Sequence, residues 1–159
     1  MTTLTLLCGL TGSGKTTYAR RLEERGSLRL SSDDWMVPLF GQHMPREVFD
    51  ERLAVIRQLQ GELTAKLLKA GMNVVLDDGF WTRAEREHYR VRAAAVGAEV
   101  RLIYFDVPGH ELRRRLAERN RNLTPGTFEI DDAALDLFIT KFEAPEQDER
   151  AVTPDSVSA

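Results

Sequence analysis

Residues 9–16 read GLTGSGKT and match the pattern G-x-x-x-x-G-K-[ST] at every position. A short apolar run, LTLLCG at 4–9, comes before it, and KTTYARRLEER at 15–25 follows with helical composition up to Gly26. Strand, glycine-rich turn and helix in that order are the context the pattern requires. Glycines let successive backbone N–H groups turn inward toward phosphate oxygens. The helix start adds a partial positive charge. Gly12, Ser13, Gly14, Lys15, Thr16 and Thr17 therefore form the candidate nucleotide-binding set. Lys15 is expected to reach the β and γ phosphates of ATP, and the Thr16 hydroxyl to ligate Mg²⁺.

Outward from this loop the chain alternates strand and helix. LRL at 28–30 reads as a short strand. In LSSDDWM at 30–36, a turn, or a cap by Ser32 or Asp33 on a helix running on from Asp34, would explain one of the two acids. Over 46–70 the apolar residues Phe49, Leu53, Ile56, Leu63 and Leu67 keep helical spacing. NVVLDD at 73–78 is a buried strand ending in acids, and 82–97 is a helix stopped by Gly97. EVRLIYFDVP at 99–108 is a strand ended by Pro108. Residues 109–121 form an arginine-rich helix. An amphipathic helix over 131–143 presents Ala134, Leu135, Phe138, Ile139 and Phe142 on one face. Apolar strands joined by helices predict an α/β fold with a parallel sheet covered on both faces. Residues 1–149 are expected to form one domain, with 150–159 a tail or a short last strand near AVT.

The bulk numbers narrow the classes. A chain of 159 residues holds one domain with a real core. No apolar run nears the ~20 residues that span a bilayer, and no basic start or small-residue cleavage site marks a signal peptide. A single cysteine fits a reducing cytoplasm and excludes an internal disulfide framework. A formal charge of −3 disfavours sequence-blind nucleic-acid binding. DVPG at 106–109 matches the short D-x-x-G pattern of GTPases, but nothing matches N-K-x-D, so Asp106 reads as a strand end.

GLTGSGKTT, LSSDDWM, NVVLDD and ELRRRLAERN, in that order, resemble the P-loop kinases related to phage polynucleotide 5′-hydroxyl kinase. That broad group of "AAA family ATPase" kinases includes zeta-toxin sugar-nucleotide kinases and chloramphenicol phosphotransferase. The resemblance runs over roughly residues 4–149. It implies a three-layer αβα P-loop NTPase fold with 4–5 parallel strands in the order 2-3-1-4-5 and a helical lid. It also implies ATP and Mg²⁺ as cofactors, with the acceptor meeting ATP at the C-terminal strand edges.

The resemblance gives roles to the remaining motifs. An aspartate just after the second strand takes the acceptor proton, which assigns Asp33 as general base. Asp34 becomes a helix cap or substrate contact. The alternative is that both acids are solvated helix-start residues. The polynucleotide kinases carry an arginine shortly after this pair, where this chain has Trp35-Met36. Trp35 either stacks on a ring or sugar of the substrate or packs in the core. Asp77, ending the third strand, is implied near Mg²⁺ or the acceptor. Phe80 and Trp81 either line the acceptor pocket or pack. Arg83 and Arg86 sit in a helix first turn, where basic groups are unfavourable. That suggests an anionic partner, with Arg83 as a substrate contact, against solvated arginines as the plain reading. Arg115 and Arg119, four apart on one face, are implied as lid arginines over the transferring phosphoryl group, Arg119 first. The plain reading there is an exposed charged helix. The Pro-Gly of NLTPGTF would let a lid hinge, and FEAPEQDE resembles the nucleobase-side loop. His43, His88 and His110 lack metal-ligand spacing and read as surface or packing residues. Cys8 reads as a small buried residue.

The expectation is a cytoplasmic kinase, monomer or homodimer, acting on a hydroxylated small molecule (antibiotic, sugar or sugar nucleotide). A polynucleotide 5′-hydroxyl acceptor and an ATP-binding switch without a small acceptor remain as alternatives.

Overall fold

The computed structural model describes residues 1–124 and 127–154. Four parallel strands lie in the order β2-β3-β1-β4: β1 Thr3–Cys8, β2 Leu28–Leu30, β3 Val74–Gly79 and β4 Glu99–Tyr104. This is compatible with the expected 2-3-1-4-5 order. The fifth position is filled by Val152 alone, which bridges Ile103 in parallel. Its N–H donates to Leu102 and its carbonyl accepts from Tyr104, at 2.9 and 2.8 Å. Residues 155–159 of the expected tail lie outside the described residues.

Among the described residues six helices connect and cover the sheet: α1 Lys15–Glu24, α2 Ser32–Phe40, α3 Arg46–Lys69, α4 Arg83–Ala95, α5 Gly109–Arg121 and α6 Asp132–Lys141. A 3₁₀ turn spans Gln147–Glu149. Leu7, Val75 and Ile103 project to one face and pack with Tyr18 and Ala19 of α1. Leu4, Leu6, Leu30, Val74, Leu76 and Leu102 project to the other, against Leu68 of α3 and Tyr89 and Ala93 of α4. Near-continuous burial along β1 and β3, with side chains packed on both faces, is what a parallel sheet covered on both sides demands. Leu112 and Leu116 of α5 form a separate cluster with Leu135 of α6, and Leu10 of the glycine-rich loop packs against it. No helix among the described residues is long and apolar enough to cross a membrane.

Two boundaries and one buried stripe stand out against the sequence reading. β4 stops at Tyr104, not 108, because its partner β1 turns into the glycine-rich loop after Cys8. Helix α2 begins at Ser32 with Ser31 at the N-cap, and no side chain of Ser31 caps it. Neither Ser32 nor Asp33 is the cap, and Asp33 and Asp34 lie in the first turn. The Ser32 hydroxyl donates instead to Asp78 Oδ1, 2.6 Å away. In α3 the buried stripe runs through Ile56, Gln60, Gly61, Thr64 and Leu68 and omits Phe49 and Leu53. Gln60 is buried because it donates to the Ser31 carbonyl at 3.1 Å, and Thr64 bonds back to the Gln60 carbonyl at 2.7 Å.

Candidate active site

The glycine-rich loop opens directly from β1. Gly12 and Gly14 have φ of +82° and +100°, the left-handed region that L side chains rarely adopt. At Gly12 an added Cβ would also come within 3.3 Å of Leu116. The loop's first residue is tied to the end of β3, since Gly9 N–H donates to Gly79 O at 3.0 Å. Ser13 is buried, whereas Thr16 and Thr17 face solvent. The Lys15 ammonium donates to the carbonyls of Gly9 (2.8 Å) and Leu10 (2.7 Å). Burial lowers its pKa to about 8, with Asp77 pulling it upward.

The third strand delivers two acids to the same edge. Pairing runs Leu6 with Leu76 and then Cys8 with Gly79, so β3 carries an extra residue across Asp77 and Asp78. A bulge re-aims side chains in this way. Asp77 is buried and accepts from Arg29 at 3.0 Å. Its Oδ1 is buried without a hydrogen-bond partner. Burial pushes the Asp77 pKa up, against the Ser31 side chain and then the charge of Arg29. An orphaned carboxylate oxygen whose charge is felt by the loop lysine fits a hard cation, which takes one or two carboxylates alongside phosphates. Thr16, exposed in the first turn of α1, offers an oxygen of the right kind. The described residues hold no cluster of three or more His, Cys, Asp or Glu able to bind a metal alone.

Asp78 turns to the other side of β3 and accepts from Ser32 N–H (2.9 Å) and Oγ. A β3 carboxylate thus caps α2 and fixes its first turn, which carries Asp33. Asp33 is exposed to solvent at the start of α2. Desolvation there, then the charges of Asp78 and Asp77, raise its pKa, and Arg57 opposes them. A carboxylate of raised basicity at a sheet edge suits proton transfer.

The arginine helix α5 lies across the loop. Arg115 donates to Gly12 O at 3.2 Å and to Glu111 at 2.9 Å. Arg119 donates to Phe128 O at 3.3 Å, while its Nε is buried without a partner. Burial lowers the Arg119 pKa and the charge of Asp33 raises it, so the two sense each other across the cleft. Arg113 binds Asp136 and, at 3.5 Å, Asp132, joining α5 to α6. The Phe128 ring meets Phe49 of α3 edge-on, with centroids 5.8 Å apart. The Pro125-Gly126 hinge lies outside the described residues.

Other expected contacts lie elsewhere. Asp34 is not a cap; it pairs with Arg29. Trp35 packs against the main core cluster. Arg83 binds Asp148 and Glu146, the latter at 2.8 Å, so the anions at this helix start are the chain's own. Arg86 is not solvated: it is fully buried and bidentate to Glu149 at 2.7 and 3.0 Å. It also donates to the carbonyls of Phe80 and Glu143, both 2.9 Å away. The acids of FEAPEQDE are thereby engaged by α4. Trp81 packs on Phe138, with ring centroids 4.9 Å apart. Cys8 is fully buried, as expected, and burial pushes its thiol up to about 11.

Sequence reasoning missed Arg29, which bridges Asp34 and Asp77 with its side chain 10% exposed. Its only signal was a cation between two leucines in a strand. It also missed a cavity of about 480 Å³ between α3 and α4, which starts at Asp78 and is lined by Arg57, Glu85, His88, Tyr89 and Arg92. Phe80 forms part of its wall at φ +47°, an uncommon conformation for a bulky residue.

A family model described as an AAA domain matches residues 4–145. No curated protein matches the chain in sequence. Among solved structures, a chain of the Pnkp1/Rnl/Hen1 RNA repair complex is 26% identical with a TM-score of 0.70. The match covers 88% of this chain but 43% of that one, so this chain spans under half its length. A structure described as a putative kinase from Chloroflexus aurantiacus J-10-fl has a TM-score of 0.73 at 19% identity, covering 91% and 82%. A sugar kinase from Janibacter sp. HTCC2649 has a TM-score of 0.69 at 18% identity, covering 98% and 90%. These last two likenesses are of fold.

Proposed function

This chain belongs to the AAA domain family, within the P-loop kinase fold, and from that premise we propose that it moves the γ-phosphate of ATP to a hydroxyl of a small molecule, such as an antibiotic, a sugar or a sugar nucleotide. The observation that carries the reading is Asp33, next to the Ser32 that bonds Asp78, within reach of the charges of Arg119 and Arg57 and near the cavity that Asp78 and Arg57 line. The loop amides and Lys15 hold the phosphates. Asp33 accepts the acceptor's proton as its oxygen bonds to the γ-phosphorus and the bond to the β–γ bridging oxygen breaks, releasing ADP. Arg119, with Arg115 behind it, stabilises charge on the transferring group. Thr16 and Asp77 are the residues that would hold Mg²⁺, which neutralises charge on the β and γ oxygens when bound.

A polynucleotide 5′-hydroxyl acceptor is the second reading. It is favoured by the 26% identity with a chain of an RNA repair complex. The test is transfer of labelled γ-phosphate from Mg·ATP to a panel of antibiotics, sugars, sugar nucleotides, nucleosides and 5′-hydroxyl oligonucleotides. A labelled small molecule is expected, with transfer abolished in Asp33→Asn while ATP binding stays near normal. Label on oligonucleotides alone, with salt-sensitive binding, supports the second reading. Label released only as free phosphate, unstimulated by any acceptor, points to an ATPase switch.

A further inference from the structure

The cavity between α3 and α4 has two chemically different ends. Near the sheet edge lie Asp78, already engaged by Ser32, and Glu85. Glu85 is engaged as well: Oε1 takes Arg57 at 3.3 Å, and Oε2 takes the Thr82 N–H at 3.3 Å in a capping box. Arg92 lines the cavity further along α4, with its guanidinium carbon 3.5 Å from the Cβ position of Gly61 on α3. Among the described residues Arg92 has no carboxylate in ion-pair range, and the Tyr89 hydroxyl has no hydrogen-bond partner. Arg57 pairs with Glu85 through Nη1, while its Nε is buried and unpartnered. From Glu85 to Arg92 is seven helical steps, about 10 Å at 1.5 Å per residue. The acidic end begins at Asp78, which bonds Ser32, the neighbour of the proposed base Asp33, and an uncompensated cation with a free phenol lies roughly one small molecule's length away.

Resting on the phosphotransfer reading, we propose that the acceptor is itself an anionic small molecule, a phosphomonoester of monosaccharide or nucleoside size. Its reacting hydroxyl lies toward Asp33 and its anionic group on Arg92 and Tyr89, with Arg57 alongside. A guanidinium presents paired N–H donors that match a phosphate bidentately. The cavity's ~480 Å³ is within the usual range for small-molecule sites. The polarity is also selective. A neutral sugar leaves Arg92 unpaired in a partly desolvated wall, whereas a phosphomonoester compensates it.

The test is calorimetric titration of the full chain with its nucleotide site saturated by a non-hydrolysable ATP analogue and Mg²⁺, so that the phosphate loop is blocked. The probes are glucose 6-phosphate, glycerol 3-phosphate and adenosine 3′-monophosphate, each against glucose, glycerol or adenosine. At least one monoester is expected to bind tenfold or more tighter than its neutral counterpart. Arg92→Gln is expected to erase that preference and Arg92→Lys to restore part of it, with affinity for the analogue unchanged in both. A wild-type protein that binds no monoester more tightly than its counterpart overturns the proposal. So does a preference that survives in Arg92→Gln. An Arg92-dependent monoester that receives no label from ATP keeps the anion site and removes the kinase reading, which separates the two failures.

Discussion

Asp78 of β3 receives two hydrogen bonds from Ser32 of α2, one from its amide at 2.9 Å and one from its hydroxyl at 2.6 Å. One carboxylate thus caps a helix from a neighbouring strand and sets where Asp33, the next residue, can stand. Asp78→Ala removes both bonds, and the loss of a helix cap is worth about 0.5–2 kcal/mol. Urea denaturation is expected to show a destabilisation in that range. Phosphotransfer is expected to fall further than stability alone explains, because the first turn of α2 is released.

Lys15 makes ATP binding depend on pH in a stated direction. Its pKa is lowered from 10.5 to about 8 in the nucleotide-free protein. Phosphate oxygens favour the charged ammonium, so ATP affinity is expected to fall as pH rises above about 8, approaching tenfold per unit. The folding linkage has the opposite sign. Between pH 8 and 10.5 the unfolded chain binds the lysine proton and the folded chain does not, so stability without nucleotide gains with pH across that window. Fluorescence titrations of a labelled ATP analogue and thermal melts over pH 7–10.5, each repeated with Lys15→Met, read both effects.

Arg119 and Arg115 are expected to separate kinetically. Arg119 senses Asp33 and keeps an unpartnered Nε, so Arg119→Ala is expected to lower kcat by about 10²–10³ with KM for ATP little changed. Arg115 binds the Gly12 carbonyl, so Arg115→Ala is expected to raise KM for ATP more than it lowers kcat. Steady-state kinetics on both variants checks the split. Equal effects on the two parameters in both variants would contradict it.

The Arg86–Glu149 pair anchors the segment after α6 to α4 with both side chains almost fully buried. Removing one partner of such a pair costs about 3–5 kcal/mol, since a buried charge is left alone. Glu149→Gln is therefore expected to destabilise strongly, and Arg86→Met with Glu149→Leu much less. Hydrogen bonds from Arg86 hold the Glu149 pKa below its ordinary value. The stability it contributes is full above the unfolded value of 4.5 and is lost as pH falls through the lower folded value. Denaturation midpoints of wild type and the double variant between pH 3 and 7 are expected to converge at the acid end.

Much of the framework was legible along the chain because it depends on neighbours in sequence. GLTGSGKT specifies its loop through local backbone conformation: Gly12 and Gly14 take the left-handed φ that glycine allows without steric cost. The alternation of apolar runs and glycine stops marked the four strands and five of the six helices among the described residues within a few residues, and left α2 as one option for the Asp33–Asp34 stretch. Helix α5 at 109–121 and strand β2 at 28–30 agree with the sequence reading at both ends.

What the tertiary structure alone decided is which charges meet. Arg29 and Asp77 are 48 residues apart, and Arg86 and Glu149 63, so no local spacing encodes either pair. Arg86, read as meeting either an anionic partner or solvent, is buried against Glu149, and Asp34, read as a cap or substrate contact, pairs with Arg29, because an ion pair seeks its partner through space. The sheet order β2-β3-β1-β4 sets β3 beside β2, brings Asp78 to Ser32, and leaves α3 and α4 apart enough to enclose a cavity. By itself the sequence determined the phosphate loop and the alternation of elements, which backbone conformation and apolar periodicity fix locally. The surroundings of Asp33 and the polarity of the cavity beside it arise only when strands distant in sequence pair.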